Sequence, residues 1–149
     1  MSKLQNIVQF ALRDWFRNEP IEVNYRPWWM QGLELDFFFP NLRLAVEVQG
    51  RQHYDGKLFK EINTKHECLI QRDREKKLRC RSREIALLYI RQDDPKGIRR
   101  LYHDLRRLGF NPTVSKRSRH IPATYAKHSL FLRRVIRTRN HPRNAKLFP

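Results

Sequence analysis

Residues 33–50 carry the sequence LELDFFFPNLRLAVEVQG, and this stretch determines the expected fold of the chain. In residues 33–39 the side chains alternate, so that leucines and phenylalanines point to one face while two acids and one phenylalanine point to the other. Residues 44–49 alternate in the same way, and the Pro-Asn pair between the two runs is a turn signal. A short turn makes consecutive strands antiparallel neighbours, so the sequence predicts a β-hairpin here.

Helical and strand periodicities on either side of the hairpin predict the remaining elements. Ser2 and Gln5 have the spacing of a capping box, which marks the start of the first helix. Asp94 and Pro95 are favourable N-cap and first-turn residues for the last helix, and Gly109 is expected to end it.

In chain order we expect a helix to about residue 18, an edge strand at 21–25, a loop at 27–32, the hairpin, a loop at 51–64, a polar basic helix at 65–83, a strand buried on both faces at 85–90, and the last helix. This α-β-β-β-α-β-α order predicts an α/β protein, in the sense of an α+β mixed sheet with helices on its faces.

Length, composition and charge narrow the class of protein. At 149 residues and 40% hydrophobic content, the chain is long enough for one compact domain with a single core. Its 32 Lys and Arg outnumber its 15 Asp and Glu, and the resulting net charge of +17 favours a polyanionic partner, DNA or RNA before an anionic membrane. No apolar run approaches the length of a bilayer span, and the N-terminus has no signal-peptide pattern. We therefore expect a cytoplasmic protein of prokaryotic or viral type, in which Cys68 and Cys80 are reduced thiols.

The positive charge is concentrated toward the C-terminal end. Residues 105–149 contain twelve Lys and Arg and no acidic residue, whereas residues 1–104 contain all fifteen acids. We predict a mixed-charge domain over residues 1–112 and a basic extension over residues 113–149 that contacts nucleic acid. The alternative is a solvated extension that only aids solubility. The cations expected to contact phosphates are Lys116, Arg117, Arg119, Arg133, Arg134 and Arg137.

Asp36 and Glu47, one on each strand of the hairpin, are the candidate catalytic pair. Each lies on the less apolar face of a strand that otherwise reads as buried, and antiparallel pairing allows the two carboxylates to converge. Burying two carboxylates together is costly, and a divalent cation removes that cost. Mg²⁺ favours a site with one or two carboxylates, several waters and a substrate phosphate. Gln49, on the same face, is suited to hydrogen-bond a phosphate oxygen or a water. The alternative is an exposed sheet face with ordinary charges.

The residues around this pair resemble a known family. The matching pieces are LDF at residues 35–37, LAVEVQG at 44–50, His53, RDREKK at 72–77 and the apolar run IALLYI at 85–90. Together they look like the PD-(D/E)XK nuclease superfamily, which has the restriction-endonuclease-like fold, and most of all its small branch related to very-short-patch-repair and homing endonucleases. The resemblance covers residues 4–108 and implies the αβββαβ core of that fold, followed here by the basic C-terminal extension.

The resemblance implies specific roles at the hairpin. Asp36 and Glu47 would ligate Mg²⁺, or Mn²⁺ in its place, together with the backbone carbonyl of Val48. Gln49 stands where the motif usually has a Lys, whose positive charge it does not supply. His53 would lie at the mouth of the site, as a general base or as a donor to the leaving group.

The resemblance also implies supporting residues on two helices. Asp73 and Lys76, on the polar helix, would support the site or touch phosphate. An i, i+3 pair of this kind is also common on solvated helix faces. On the first helix, Gln9 or Gln5 stands where the family often carries a Glu that completes the site.

DNA contacts are also expected outside the catalytic pair. Trp28 and Trp29 lie in the loop before the catalytic strand, where they would either stack on unpaired bases or pack in the core, two interpretations of equal weight. Arg51, directly after the hairpin, is a further candidate for DNA binding. No recognition helix or zinc finger is evident in the sequence.

The expected function is that of a magnesium-dependent DNA endonuclease, of the nicking, repair, homing or junction-cleaving type. Symmetric cutting would require a homodimer. Two alternatives remain open at this point. One is a catalytically inactive DNA-binding protein that retains the nuclease fold, and the other is a basic RNA-binding structural protein.

Overall fold

The computed structural model describes residues 2–50, 63–92, 94 and 96–113, with the side chains of residues 63–66 excepted. The described part is mixed α/β, with three α-helices and a four-stranded mixed sheet. Its elements are α1 (Lys3–Trp15), β1 (Glu22–Tyr25), a 3₁₀ turn (Trp28–Met30), β2 (Leu35–Phe39), β3 (Leu44–Gln49), α2 (Asn63–Arg81), β4 (Ala86–Arg91) and α3 (Gly97–Arg107). The predicted mixed α/β class and the predicted order of helices and strands are confirmed, whereas the restriction-endonuclease-like core stays a prediction.

The chain divides into two compact units by its internal contacts. One unit comprises residues 18–94 and contains the whole sheet and α2. The other comprises residues 1–17 and 95–149, and its described part contains α1 and α3. The boundary predicted at residue 112 stays a prediction, because the residues after 113 lie outside the described range.

The unit with the two helices follows its sequence signals closely, with two corrections. The capping box is confirmed, since Gln5 N donates to Ser2 Oγ and Ser2 N donates to Gln5 Oε1. The first helix ends at Trp15, three residues before the predicted end. The prediction that Asp94 caps α3 is wrong, because α3 begins at Gly97 and its N-cap is Lys96, which makes no side-chain capping bond.

An aromatic contact and a backbone hydrogen bond hold parts of this unit together, and a glycine ends α3. Trp15 at the end of α1 meets Tyr102 of α3 edge to face, with ring centroids 5.3 Å apart. Thr113 N donates to the Trp15 carbonyl at 3.0 Å, which ties the chain after α3 to the end of α1. Gly109 ends α3 as predicted, with φ +90°, a left-handed conformation that glycine adopts without a Cβ penalty.

The sheet has the strand order β1-β2-β3-β4. β1–β2 and β2–β3 are antiparallel, whereas β3 and β4 are parallel. A parallel pair needs a long crossover, and α2 lies in that connection. The predicted burial of the last strand on both faces is wrong, since Ile90 is buried but Ala86 to Tyr89 are half-buried. β4 is an edge strand of the sheet in the residues described, which accounts for its partial exposure.

One buried cluster fixes α2 to the sheet. It contains Met30, Leu35, Phe38, Ala45 and Cys80. Cys80 is the contribution of α2, a helix whose other residues are mostly charged. Because the cluster joins the 3₁₀ turn, β2, β3 and α2, it determines which side of α2 faces the hairpin.

Candidate functional site

The hairpin strands separate at the point where the two acids lie. The register of β2 and β3 runs from Phe39↔Leu44 to Phe37↔Val46. One residue further along, side chains bridge the strands. Asp36 N donates to Glu47 Oε1 at 3.1 Å, and Val48 N donates to Asp36 Oδ2 at 2.7 Å. The structure therefore brings Asp36 and Glu47 together, each held by the backbone of the opposite strand.

Glu47 lies in an environment that opposes its charge. The residue is only 6% exposed. Burial raises the pKa of the Glu47 carboxyl to about 7, with a further upward contribution from Asp36, against the opposing attraction of Lys76. A buried carboxyl with a strongly raised pKa is a feature of functional sites, and a nearby cation or hydrogen-bond donor stabilises its charged form.

Helix α2 provides that cation. Lys76 Nζ lies 2.6 Å from Glu47 Oε2, and both side chains are largely buried. A charge-assisted bond of this length between buried partners positions both groups firmly. Lys76 thus supplies, from α2, the positive charge that Gln49 does not provide at the end of β3.

A second contact joins Gln49 to the same helix. Gln49 Nε2 donates to Asp73 Oδ2 at 2.9 Å. The amide nitrogen is therefore engaged by a carboxylate, and the predicted donation from Gln49 to a phosphate requires this bond to break. The amide oxygen is the atom that the geometry leaves better suited to orient a water.

The spacing of these contacts explains why α2 fits the strand. Asp73, Lys76 and Cys80 lie on one helix face, since they are separated by three and four residues. Their contacts follow β3 backwards along the chain. Asp73 bonds Gln49 at the end of the strand, Lys76 bonds Glu47, and Cys80 lies in the cluster that includes Ala45. From residue 73 to 80 a helix rises about 10 Å, and from 45 to 49 a strand advances about 13 Å, so the two elements stay matched over this length.

Tyr89 belongs to the site and was missed in the sequence. It pairs with Glu47 in the parallel register of β3 and β4. Among the described residues its buried hydroxyl has no hydrogen-bond partner, and Lys77 Nζ lies 5.1 Å from its ring centroid. Burial raises the pKa of Tyr89, and the charges of Asp73 and Glu47 raise it further. The only sequence signal was a polar hydroxyl within an apolar strand, and a crossover connection gives no register from sequence.

The donor set at this site fits a magnesium ion better than zinc. Asp36, Glu47 and the Val48 carbonyl offer only oxygen ligands, and Mg²⁺ uses one or two carboxylates with waters completing the shell. The described residues contain no cluster of three or more His, Cys, Asp and Glu side chains with metal-binding geometry. A hydrated cation at these acids would lower the pKa of Glu47, and one of its waters would give the buried Tyr89 hydroxyl a hydrogen-bond partner.

The remaining predicted residues are distributed over the chain. Trp29 packs against the buried cluster, with Phe38 edge to face at 6.2 Å, whereas Trp28 is 85% exposed. Gln9 is half-buried on α1, and Gln5 is engaged in the capping box. The candidates that lie outside the described residues are Arg51, His53, Lys116, Arg117, Arg119, Arg133, Arg134 and Arg137.

Comparison with protein-family models, with curated proteins and with solved structures finds no match to this chain. Among the described residues, no helix has the length and apolar character required to cross a bilayer. Functional inference therefore depends on the geometry at Asp36 and Glu47.

Proposed function

We propose that this protein is a metal-dependent DNA endonuclease with a restriction-endonuclease-like core and a basic C-terminal extension. The observation that carries the proposal is the crossed pair of hydrogen bonds through which Asp36 and Glu47 bridge the separating strands of the hairpin. Two acids held together in this way, one of them buried, provide a binding site for a divalent cation. A solvated sheet face has no need of such an arrangement.

The site residues have distinct roles in this proposal. Asp36, Glu47 and the Val48 carbonyl hold Mg²⁺, or Mn²⁺ in its place, which when bound lowers the pKa of a water and polarises the phosphate. Lys76 bonds Glu47 at 2.6 Å and is positioned to turn toward a phosphate oxygen when a cation takes over the Glu47 charge. Gln49, fixed by Asp73, orients the attacking water through its amide oxygen.

The substrate class follows from charge. A net charge of +17 attracts a phosphate backbone irrespective of sequence. The described part of α2 adds Arg72, Arg74, Lys77, Arg79 and Arg81 in the same helix that carries Asp73 and Lys76. Phosphate binding by this helix would bring a phosphodiester to the acids. The expected homodimer, if cutting is symmetric, would place two such sites on one duplex.

A second candidate is a polyanion-binding protein that retains the fold without hydrolysis. The ion pair between Lys76 and Glu47 favours it, because a lysine already balances the buried carboxylate. The endonuclease is the stronger candidate, because the end of β3 gathers three carboxylates: Lys76 bonds Glu47, Val48 N donates to Asp36, and Gln49 donates to Asp73. A basic RNA-binding structural protein explains the charge but gives no reason for the crossed acid pair.

Plasmid nicking tests the proposal. Supercoiled DNA is incubated with the protein and Mg²⁺, Mn²⁺ or a chelator, and relaxed and linear products are separated on a gel. We expect cation-dependent cleavage that Asp36→Asn and Glu47→Gln each abolish. Glu34→Gln is the matched control, because Glu34 lies two residues before Asp36 but bonds Arg26 at 2.9 Å on the surface.

The result also separates the two candidates. Retained DNA binding without cleavage, for the wild type with either cation, would establish the binding protein. Cleavage that survives both acid substitutions would exclude Asp36 and Glu47 as the catalytic pair. Circular dichroism of each variant shows that lost activity does not reflect unfolding.

A further inference from the structure

Trp28 is the most exposed of the large hydrophobic side chains that the structure describes. Its indole is 85% exposed, whereas the next, Leu78, is 59% exposed. Leaving so large an apolar surface in water has a cost, and such surfaces often mark binding sites. The neighbouring Trp29 packs against the buried cluster, so the two tryptophans differ in their exposure to solvent.

The backbone that carries Trp28 is held firmly. The 3₁₀ turn Trp28–Met30 is anchored by Met30, which is fully buried. Arg79 of α2 donates to the Trp29 carbonyl at 3.1 Å and to Gln31 Oε1 at 2.6 Å. The indole therefore projects from a braced turn, and a ligand that stacks on it loses little free energy in ordering the protein.

A guanidinium lies next to this indole. The Arg83 Cζ atom is 5.6 Å from the Trp28 ring centroid and 4.9 Å from that of Trp29. Arg83 also lines an open cavity of about 470 Å³ together with Arg43 and Ser82. An exposed aromatic face with a planar cation beside it matches a nucleotide, which has an aromatic base and an anionic phosphate.

We propose that Trp28 and Arg83 form a stacking site for an unpaired nucleobase of single-stranded DNA, with Arg83 contacting its phosphate. The identification of the polymer as DNA rests on the proposed function. The base must be unpaired, because the faces of bases inside a duplex are covered by their neighbours. Trp28 stacks on any base, so this site distinguishes single-stranded from double-stranded DNA and has no sequence specificity.

The position of the site specifies the DNA substrate. Helix α2 rises about 7.5 Å from Lys76 to its end at Arg81, and Arg83 lies two residues beyond that end. That rise equals about two base steps of B-form DNA, at about 3.4 Å per step. The hydrolytic site would therefore cut within a few nucleotides of an unpaired segment, as in an overhang, a flap or a bulge.

Binding is measured by anisotropy of a fluorescein-labelled single-stranded oligonucleotide and of a blunt two-stranded duplex without unpaired bases and with the same total number of phosphates, with a chelator present. We expect Trp28→Ala to weaken single-strand binding by about 5- to 150-fold, the range of one lost base stack. Duplex binding should change less than twofold. Trp28→Phe should retain part of the affinity, and Leu78→Ala, which removes another exposed apolar side chain, should have no effect.

A base analogue reports the stack directly. 2-Aminopurine in the single strand should be quenched on binding, and Trp28→Ala should lose that quenching while Leu78→Ala keeps it. Arg83→Gln should weaken single-strand binding and flatten its salt dependence, and Arg83→Lys should restore the salt dependence but only part of the affinity. Equal losses on single strand and duplex in Trp28→Ala, or unchanged quenching, would overturn the proposal, as would tighter binding of single-stranded RNA of the same sequence.

Failure here is distinguishable from failure of the proposed function. Quenching that depends on Trp28, in a protein that never nicks DNA, supports the stacking site and removes the hydrolase. Mg²⁺-dependent cleavage at the same rate and position in Trp28→Ala supports the hydrolase and removes the stacking site as its substrate determinant.

Discussion

Glu47 makes a contribution to the stability of the chain that depends on pH. Its carboxyl pKa rises from 4.5 to about 7 on folding, chiefly through burial. Between those values the folded protein binds more protons than the unfolded chain, so stability falls as the pH rises through that window. The full loss is about 3 kcal/mol at a pH above both values, from about 1.4 kcal/mol per unit.

We therefore expect the wild type to lose more free energy of unfolding than Glu47→Gln between pH 4.5 and pH 7.5, as the acid titrates from its unfolded to its folded pKa. Urea denaturation in the presence of a chelator measures both proteins at each pH. The difference between them isolates Glu47 from other titrating groups. Glu34→Gln, at an exposed ion pair, should follow the wild type. Parallel pH profiles for wild type and Glu47→Gln would contradict the buried position of this acid.

The ion pair of Lys76 with Glu47 links the stability of the folded protein to the binding of the proposed divalent cation. Lys76→Met leaves the Glu47 carboxylate buried without its ammonium partner, and we expect it to cost about 2 kcal/mol at pH 8, less at pH 5 where Glu47 takes up a proton. Mg²⁺ should restore most of that loss, because a divalent cation replaces the missing charge. Thermal unfolding with and without Mg²⁺ measures both effects.

Lys77→Met provides the matched control, since Lys77 lies over the Tyr89 ring and makes no ion pair with Glu47. It should be less destabilised, and Mg²⁺ should not rescue it. If Mg²⁺ fails to stabilise Lys76→Met, the acids do not bind the cation and the non-hydrolytic candidate gains support.

At the scale of elements, α2 is positioned by one apolar residue among charges. Cys80 is 1% exposed in the cluster with Met30 and Ala45. Burial raises the pKa of the Cys80 thiol to about 11, so the residue is a neutral hydrophobe at physiological pH. We expect Cys80→Ser to destabilise the protein by about 1–3 kcal/mol, because it buries a hydroxyl among apolar side chains.

Cys68, on the same helix, gives the control for this prediction. It is exposed, and both cysteines are free. Cys68→Ser should leave the melting temperature within about 1 °C of wild type, as expected for a surface substitution. Equal melting temperatures for the two serine variants would show that Cys80 does not anchor α2 to the sheet.

The hairpin was predictable from sequence because period-2 alternation and a turn signal are local. The same alternation put Asp36 and Glu47 on corresponding faces, and the structure joins them through bonds to each other's strand. The sequence did not predict in this way which face of α2 packs against the sheet. Its buried contacts come from Asp73, Lys76 and Cys80, which do not form an apolar stripe.

Two further features depend on long-range pairing. Tyr89 reaches Glu47 through a parallel register, which no turn specifies. The partial exposure of β4 follows from its place at the edge of the described sheet, whereas a continuous apolar run favours a central strand. The start of α3 differs for a local reason, because the chain turns through Lys96 before the helix begins.

At the scale of the whole molecule, we expect the charge distribution to govern the affinity for DNA. Residues 114–149 contain ten of the 32 Lys and Arg and no acid, so their removal lowers the net charge from +17 to +7. Each phosphate contact contributes about −0.9 to the slope of log affinity against log salt for duplex DNA. A protein that ends at residue 113 should therefore bind a blunt duplex more weakly, with a slope shallower by several units.

Anisotropy titrations at a series of salt concentrations give that slope, and a charge-matched comparison separates extension contacts from net charge. Replacing Arg133, Arg134 and Arg137 with glutamine inside the full-length chain changes the net charge by three but keeps the extension. If these side chains contact phosphates, the slope should fall by up to about 2.7, since each contact is worth about 0.9. The same number of substitutions at Arg17, Arg26 and Arg107, exposed cations that each pair with an acid of the protein, should change it less. Equal slopes for the full-length and shortened proteins would mean that the C-terminal charge does not reach the DNA, and that residues 1–113 carry the binding.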